Sequence, residues 1–146
     1  MKPSNNIGFL LQKIALSLAR QNDDILQDAL GIGFSQFKIL MALQWRPNVQ
    51  QKQIAEHLGQ TEASISRQIK LMYDDGLLQA TPRPEDRREH ITTLTPRGQR
   101  VCDEALDVLN QSYMPMFRQL SKQDQDALLR SLTIMHDYLN LKSPKE

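Results

Sequence analysis

The sequence predicts a mainly α-helical protein that carries one small β-hairpin. Apolar residues recur at helical spacing over most of the 146 residues, with glycine or proline at the breaks between helices. Only residues 77–94 depart from this pattern, because two short segments rich in apolar and β-branched residues flank a charged loop there. The order of elements is therefore four helices, a hairpin and two further helices.

The first two helices are predicted from apolar spacing and from the residues at their ends. Helical periodicity runs from residue 7 to about residue 30. Ser35 is a good N-cap for the second helix, and Phe34 and Ile39 would then form a hydrophobic staple. This helix should end before Pro47, because the residue before a proline disfavours the helical conformation.

The third and fourth helices are separated by a short break at Gly59 and Gln60. Residues 51–58 predict a short helix that Gly59 ends, and Thr61 opens the next helix. On a helical wheel the fourth helix has an apolar side and an opposite side that is small and polar, then cationic. The inward set is Ile65, Ile69 and Met72, and the outward set is Ala63, Ser66, Arg67 and Lys70.

The hairpin is predicted from two short strands, residues 77–83 and 90–94. The loop between them holds four charged residues in succession, residues 85–88. Two helices across a glycine turn, followed by an arginine-tipped hairpin, are typical of a winged helix-turn-helix. Such a fold presents one helix to the major groove of DNA and one loop to the minor groove.

The last two helices are predicted from their caps and from apolar stripes. Thr95 caps a helix that begins with Pro96, and Pro115 should kink it. Ser121 with Asp124 resembles a capping box for the final helix, whose apolar residues form a near-heptad seam.

Long amphipathic helices at both chain ends usually pack against a partner. We therefore expect a two-fold homodimer formed by residues 1–32 and 97–146, around a DNA-binding region at residues 33–96. At this length the whole chain, residues 1–146, is expected to be one domain.

Composition limits the class of protein. A hydrophobic content of 40% and a charged content of 24% are ordinary for a globular chain. No apolar run approaches the roughly 20 residues that span a bilayer. The polar N-terminus disfavours a secretory signal. The single cysteine excludes an internal disulfide and fits a reducing cytoplasm. We expect a cytoplasmic protein with no membrane partner.

The net charge of +1 does not by itself indicate a nucleic-acid partner. Residues 61–100 hold seven basic and six acidic side chains. A DNA-binding function must therefore depend on where the arginines lie rather than on total charge.

Several short motifs between residues 33 and 98 are shared with a known family. The most specific are Pro84-Glu-Asp-Arg-Arg88 in the hairpin loop and Leu94-Thr-Pro-Arg-Gly98 after it. Gln53-Ile-Ala-Glu-His-Leu58 and Ala63-Ser-Ile-Ser-Arg67 also match, although many winged-helix proteins share such helices. In these motifs the sequence resembles the MarR family of bacterial transcriptional regulators.

The resemblance implies a homodimeric regulator, typically a repressor, that binds pseudo-palindromic operators in double-stranded DNA. It implies release by an oxidant or by a small effector, phenolic or otherwise lipophilic. It also implies that Arg88 enters the minor groove and that Asp86 holds it by an ion pair. Two features depart from the family pattern. Gln50 and Gln51 stand where the family usually has a Ser or Thr cap, and residues 1–32 lack the cysteine of its peroxide sensors.

The predicted DNA-binding residues fall into two groups. Those of the recognition helix are Thr61, Ala63, Ser64, Ser66, Arg67 and Lys70, and those of the hairpin loop are Arg83, Asp86, Arg87 and Arg88. The alternatives are an ordinary exposed helix face and a solvated loop neutralised by its own acidic residues. The same surfaces could also serve a winged-helix module for protein contacts, for which the near-neutral charge is the best argument.

Other chemistry finds little support in the sequence. No nucleophile with an adjacent base and no phosphate-binding glycine loop is present, so we predict neither an enzyme nor a cofactor. The histidines lack metal-ligand spacing, so we expect no metal. Cys102 lies on an apolar stripe and is predicted to be a buried structural thiol, with a redox switch as the alternative. Trp45 is predicted to lie in the core or to line a pocket.

Overall fold

The computed structural model describes residue 2 and residues 5–142. The predicted ranges 1–32 and 97–146 therefore extend beyond the described residues at both ends. The described chain forms six α-helices and one antiparallel two-stranded sheet, which agrees with the predicted fold class. In chain order the elements are α1 (Ile7–Leu30), α2 (Phe34–Trp45), α3 (Gln51–Leu58), α4 (Glu62–Asp74), β1 (Leu78–Pro82), β2 (His90–Leu94), α5 (Pro96–Phe117) and α6 (Lys122–Lys142).

The chain forms two compact units that divide between Leu109 and Asn110. The first contains α1 to α4, the hairpin and the first part of α5, and its core is formed by aliphatic side chains such as Leu26, Leu40 and Ile65, each 0% exposed. The second contains the end of α5 and α6. The single domain expected for residues 1–146 stays a prediction.

The start of α2 corrects one expectation. The N-cap is Gly33, whose backbone N–H donates to Gln36 Oε1 at 3.1 Å. The Asp23 carboxylate, on α1, accepts the Phe34 N–H at 2.9 Å. A residue of α1 thus provides a hydrogen-bond acceptor for the first turn of α2. The N-cap predicted at Ser35 was therefore wrong, and so was the staple of Phe34 with Ile39, because all three residues lie inside the helix.

The turn between α3 and α4 follows the predicted pattern. Gly59 has φ 64°, a left-handed conformation that glycine adopts without strain, and the Gln60 N–H donates to the Ala55 carbonyl at 2.9 Å. Thr61 caps α4, since its hydroxyl accepts the Ser64 N–H at 3.1 Å. Both ends of the turn were thus predicted from local chemistry.

The hairpin and α5 meet at a close backbone contact. Strand β1 pairs antiparallel with β2, with Leu78 opposite Leu94 and Pro82 opposite His90. The Thr95 hydroxyl donates to the Gly76 carbonyl at 2.6 Å and accepts the Gly98 N–H at 2.9 Å. A Cβ at Gly98 would lie 2.0 Å from the Leu77 carbonyl oxygen, so this position requires glycine.

The later helices begin as predicted. Pro96 is the first residue of α5, and the Ser121 hydroxyl accepts the Asp124 N–H at 3.0 Å at the start of α6. Helix α5 continues through Pro115 to Phe117, and the kink expected at Pro115 stays a prediction. No described helix is long and apolar enough to cross a membrane.

Candidate nucleic-acid interface

The two sides of α4 differ in burial in the predicted way. Ile65 and Met72 are 0% exposed and Ile69 is 3% exposed, so these three side chains fix the helix to the core. The opposite side, which we call the outward face, is exposed and consists of Ala63, Ser66, Arg67 and Lys70. Within the described residues, no carboxylate lies within ion-pair distance of either cation of the outward face. The positive charge is therefore available to an external anion.

Ser64 differs from the outward face because its side chain turns inward. It is half-buried, and its hydroxyl lies 3.4 Å from Gln60 Oε1 and accepts from Gln68 Nε2 at 3.2 Å. Gln68 Nε2 also donates to Gln60 Oε1 at 2.9 Å. Ser64 therefore belongs to a polar cluster beneath the helix.

The Gln60 side chain links this cluster to α2. Its Nε2 donates to the Ser35 hydroxyl at 2.6 Å, so one amide joins the start of α2 to the start of α4. Sequence reasoning missed Gln60, because a glutamine at a turn carries no local signal for a partner 25 residues away. It also missed Gln68, whose partners are Gln60 and Ser64. The link fixes the direction of the outward face.

The wing loop, residues 83–89, is closed by hydrogen bonds of its own backbone. The Arg83 N–H donates to the Glu89 carbonyl at 2.7 Å, and the Glu89 N–H donates to the Asp86 carbonyl at 3.1 Å. Arg83 Nε lies 2.9 Å from Glu89 Oε2, so the two side chains form an ion pair. The Nε–H does not have the direction of a hydrogen bond to this carboxylate. Arg83 therefore closes the base of the loop.

Asp86 shapes the tip of the wing loop through the backbone. Its carboxylate accepts the N–H of Arg88 at 3.0 Å, which is the geometry of an Asx turn. The ion pair expected between the Asp86 and Arg88 side chains is absent from the described structure, where the carboxylate is used for this turn instead. Arg87 and Arg88 are both exposed, so two guanidinium groups project from the tip.

A side-chain hydrogen bond joins α4 to the hairpin. The hydroxyls of Tyr73 on α4 and Thr92 on β2 lie 2.7 Å apart. This bond was not predicted, because it joins residues that are distant in sequence. It fixes the hairpin against the helix that carries the outward face.

The arrangement of helices and hairpin is matched by known proteins. Residues 34–90 match the model of the MarR family, which covers α2 to the start of β2. In this region the chain is similar to the MarR family. Relatives found for this chain are described as transcriptional regulators, which agrees with the prediction that it is not an enzyme.

One curated relative matches about three quarters of the chain. It is the organic hydroperoxide resistance transcriptional regulator of Bacillus subtilis, 27% identical over 108 residues, which are 74% of this chain and 73% of the relative. Residues 33–96 of the predicted winged helix-turn-helix largely coincide with the matched family model.

Solved structures of the family share the fold. A MarR family protein of Mycobacterium tuberculosis in complex with p-aminosalicylic acid is 20% identical, with a TM-score of 0.76 over 90% of this chain and 98% of that chain. CouR from Rhodococcus jostii bound to p-coumaroyl-CoA is 19% identical, with a TM-score of 0.81 over 100% and 99%. MarR from Escherichia coli is 18% identical, with a TM-score of 0.76 over 89% and 96%. The winged-helix fold class is thereby confirmed.

Cys102 is a buried thiol, as predicted. It is 1% exposed, and its Sγ–H donates to Gln44 Oε1 at 3.0 Å. Burial, and then the neighbouring Asp103 carboxylate, raise the pKa of the Cys102 thiol to about 11. Trp45, by contrast, is 74% exposed, so the core position is excluded and its pocket-lining alternative holds. Among the described residues, no group of three metal-ligating side chains is present.

Proposed function

We propose that this protein is a regulator of MarR type that binds double-stranded DNA through the outward face of α4 and the tip of the wing loop. The observation that supports this most directly is the split in α4, with a buried apolar side opposite exposed Arg67 and Lys70. Small residues at the start of the outward face allow close approach to base edges in the major groove. Arg87 and Arg88 at the tip suit a narrow minor groove, which attracts guanidinium groups.

The remaining predicted site residues have supporting roles in this proposal. Thr61 caps α4 by accepting the Ser64 N–H, and the positive end of the helix at this point suits a phosphate of the DNA backbone. Ser64 and Asp86 act by holding backbone and neighbouring side chains in place, and Arg83 closes the loop. Direct contact with DNA is therefore assigned to the outward face and to the two arginines at the tip.

The functional unit is proposed to be a homodimer on a pseudo-palindromic operator. Exposed apolar residues recur on α1 and α6, which supports a partner for both helices. On α6 they include Leu128, Leu132, Met135 and Leu139, and on α1 they include Ile7, Ile14 and Leu16. A two-fold dimer would place two copies of α4 about one DNA turn apart, roughly 34–36 Å. Repression follows where such an operator overlaps a promoter.

Control by a small ligand is supported better than control by an oxidant. Two related structures carry aromatic acids or their thioesters, p-aminosalicylic acid and p-coumaroyl-CoA. The B. subtilis relative is named for organic hydroperoxide resistance, but Cys102 is the only cysteine of this chain, and its raised pKa leaves little reactive thiolate at neutral pH. We therefore propose a lipophilic or aromatic effector, with no cofactor.

Selection of binding sites from random double-stranded DNA tests the proposal. The expected result is an enriched pseudo-palindrome whose half-sites lie about 10 base pairs apart. The alternative function is a module for protein contacts, which the near-neutral charge favours. Selection that enriches no motif, together with retained dimerisation, would support the alternative.

A further inference from the structure

An apolar cleft, which we call the α2–α3 cleft, lies between those two helices. It has a volume of about 420 Å³. Its apolar lining includes Met41 and Trp45 from α2 and Leu58 from α3. No residue of α4 or of the wing loop is among the described residues that line it. The surface proposed for DNA therefore leaves this cleft free.

The side chains of the α2–α3 cleft are of the kinds that recur in interfaces between proteins. Trp45 is 74% exposed although it is the only tryptophan of the chain, so a large apolar surface is left uncovered. Arg46 is exposed beside it, and Phe34 and Met41 are half-buried in the lining. Aromatic residues, methionine and arginine are enriched in such interfaces, and truncation of tryptophan or arginine often costs the most affinity. The cleft therefore has the composition of a protein-docking site.

The charged groups of the α2–α3 cleft are basic. Lys38 and Arg46 line it together with His57, and none of the described lining residues is acidic. Neither Lys38 nor Arg46 has an ion-pair partner in the described part of the chain. Asp23 lines the adjoining hollow, where it already accepts a backbone N–H. A partner with acidic side chains is therefore complementary to the cleft.

The exposed apolar helices of the chain itself complement this cleft poorly. Residues 1–22 include Lys13 and Arg20 but no acidic residue, so the first part of α1 would bring further positive charge. Residues 122–142, which form α6, hold three acidic side chains and three lysines or arginines, so α6 offers no net negative charge. Charge complementarity therefore favours a second protein over a second copy of this chain.

The docked segment of that protein is expected to be helical. Both walls of the cleft are helices, which offer no sheet edge to an added strand. A helix satisfies its own backbone hydrogen bonds when it is buried, and it inserts apolar side chains at i, i+3, i+4 and i+7. We propose that the α2–α3 cleft docks an amphipathic helix of a second protein, with apolar side chains against Met41 and Trp45. Its acidic side chains would then lie at Lys38 and Arg46.

Docking at this cleft would allow a chain bound to its operator to hold a second protein there. Neither the outward face nor the two arginines at the tip of the wing loop contribute to the lining. The helix should therefore bind the operator complex as tightly as it binds the free protein, because the two sites share no side chain. This consequence, unlike the docking site, rests on the proposed function.

Selection from a library of random peptides displayed on phage, with the full chain as bait, tests the docking site. The peptides should be about 16 residues long, enough for several helical turns, and should lack tryptophan so that Trp45 fluorescence can report binding. We expect enriched sequences that combine apolar residues at helical spacing with an excess of Asp and Glu. Enrichment of basic or uncharged sequences alone, or of no sequence, would overturn the proposal.

The affinity of the most enriched peptide for variants of the chain then locates its site. Trp45→Ala should weaken binding at least about tenfold, because it removes the largest exposed apolar side chain of the cleft. Lys38→Glu with Arg46→Glu should weaken binding by about the same factor, and a peptide with lysines in place of its acidic residues should recover binding to this double variant. Lys52→Glu with Arg100→Glu makes the same change of charge at exposed residues outside the cleft and should leave the affinity unchanged. Wild-type affinity in both cleft variants would overturn the proposal.

Analytical ultracentrifugation of the cleft variants separates docking from self-association. Trp45→Ala and the double variant of Lys38 and Arg46 should keep the oligomeric state and the circular dichroism of wild type. A change of oligomeric state would assign the cleft to an interface between two copies and overturn the proposal.

Repeating the peptide titration on the operator complex tests the consequence separately. Equal affinity with and without DNA supports joint binding, and weaker binding on the operator overturns joint binding while the docking site stands. A chain that binds the peptide but selects no DNA motif retains the docking site and contradicts the proposed function.

Discussion

Single residues of the outward face differ in the role that their position allows. Arg67 is exposed on α4 without an ion-pair partner in the described chain, whereas Ser64 is turned inward. An unpaired guanidinium on the outward face can reach a base edge and bind it with two hydrogen bonds. Specificity should therefore depend on Arg67 more than on Ser64.

Replacing Arg67 by alanine is expected to relax base preference. Loss of a base-edge contact should reduce the discrimination at one operator position by roughly 1–3 kcal/mol. Competition binding with single-base operator variants measures this loss, and Lys52→Ala on the exposed side of α3 serves as the control. Equal weakening on all sequences would instead identify Arg67 as a phosphate contact.

The Cys102 thiol makes the free energy of unfolding depend on pH in the alkaline range. Burial raises its pKa from 9.0 to about 11, so the unfolded chain loses this proton at lower pH than the folded chain. The contribution of the Cys102 thiol to the free energy of unfolding is fully present below its pKa in the unfolded chain. This contribution is lost as pH rises from about 9 through about 11. The stability advantage of wild type over Cys102→Ala should thus shrink over this window in urea titrations. An advantage that grows with pH would contradict the assignment.

The same thiol should resist oxidation. Cumene hydroperoxide at neutral pH is expected to leave DNA binding unchanged, since oxidation requires an accessible thiolate. Loss of binding that Cys102→Ala prevents would show that the thiol is a sensor.

At the scale of elements, α4 is oriented by contacts that are distant in sequence. Gln60 joins α4 to α2, and Tyr73 joins it to β2. Helix ends such as Thr61 and Thr95 could be predicted from the sequence, because their caps use residues three positions away. The start of α2 could not, because its first turn is satisfied by Asp23, 11 residues earlier.

The helix residues of the predicted site were easier to predict than the loop residues. Periodicity correctly divided the inward Ile65 from the outward Arg67. It could not foresee that Asp86 binds the Arg88 backbone rather than its side chain, because loop geometry is set by local turn bonds that leave no periodic signal. Nor could it reveal the Gln60 link, which arises only when α2 and α4 pack together.

Removing the Gln60 side chain should misorient α4. Gln60→Ala removes the bond to Ser35 and one of the two acceptors of Gln68 Nε2, so the free energy of unfolding should fall by about 1–3 kcal/mol. Operator affinity should fall although Gln60 itself touches no base. Gln79→Ala, on the exposed side of β1, is the control. A variant with wild-type stability and affinity would show that the link is dispensable.

At the scale of the whole molecule, the proposed function requires two copies of the reading surface. The apolar residues of α6 are exposed in the single chain, and burying them against a second copy would supply the association energy. A dimer also raises operator affinity, because binding of the second half-site becomes intramolecular.

A charge on α6 should separate the two copies. Leu132→Glu is expected to give a monomer in analytical ultracentrifugation and to weaken operator binding by about 100-fold or more, since the second half-site no longer binds intramolecularly. Thr133→Glu, which adds the same charge to α6 next to its apolar seam, is the matched control. A Leu132→Glu protein that remains dimeric would exclude this face from the interface.

The salt dependence of operator binding tests the DNA-binding account most directly. Fluorescence anisotropy would give the affinity of wild type and of Arg88→Ala for the selected operator over a series of salt concentrations. We predict that log affinity falls steeply with log salt, with a slope of about −4 or steeper from several phosphate contacts. Arg88→Ala should weaken binding, flatten the slope and leave the dimer intact. A flat slope for wild type would contradict the DNA-binding account and favour a protein partner.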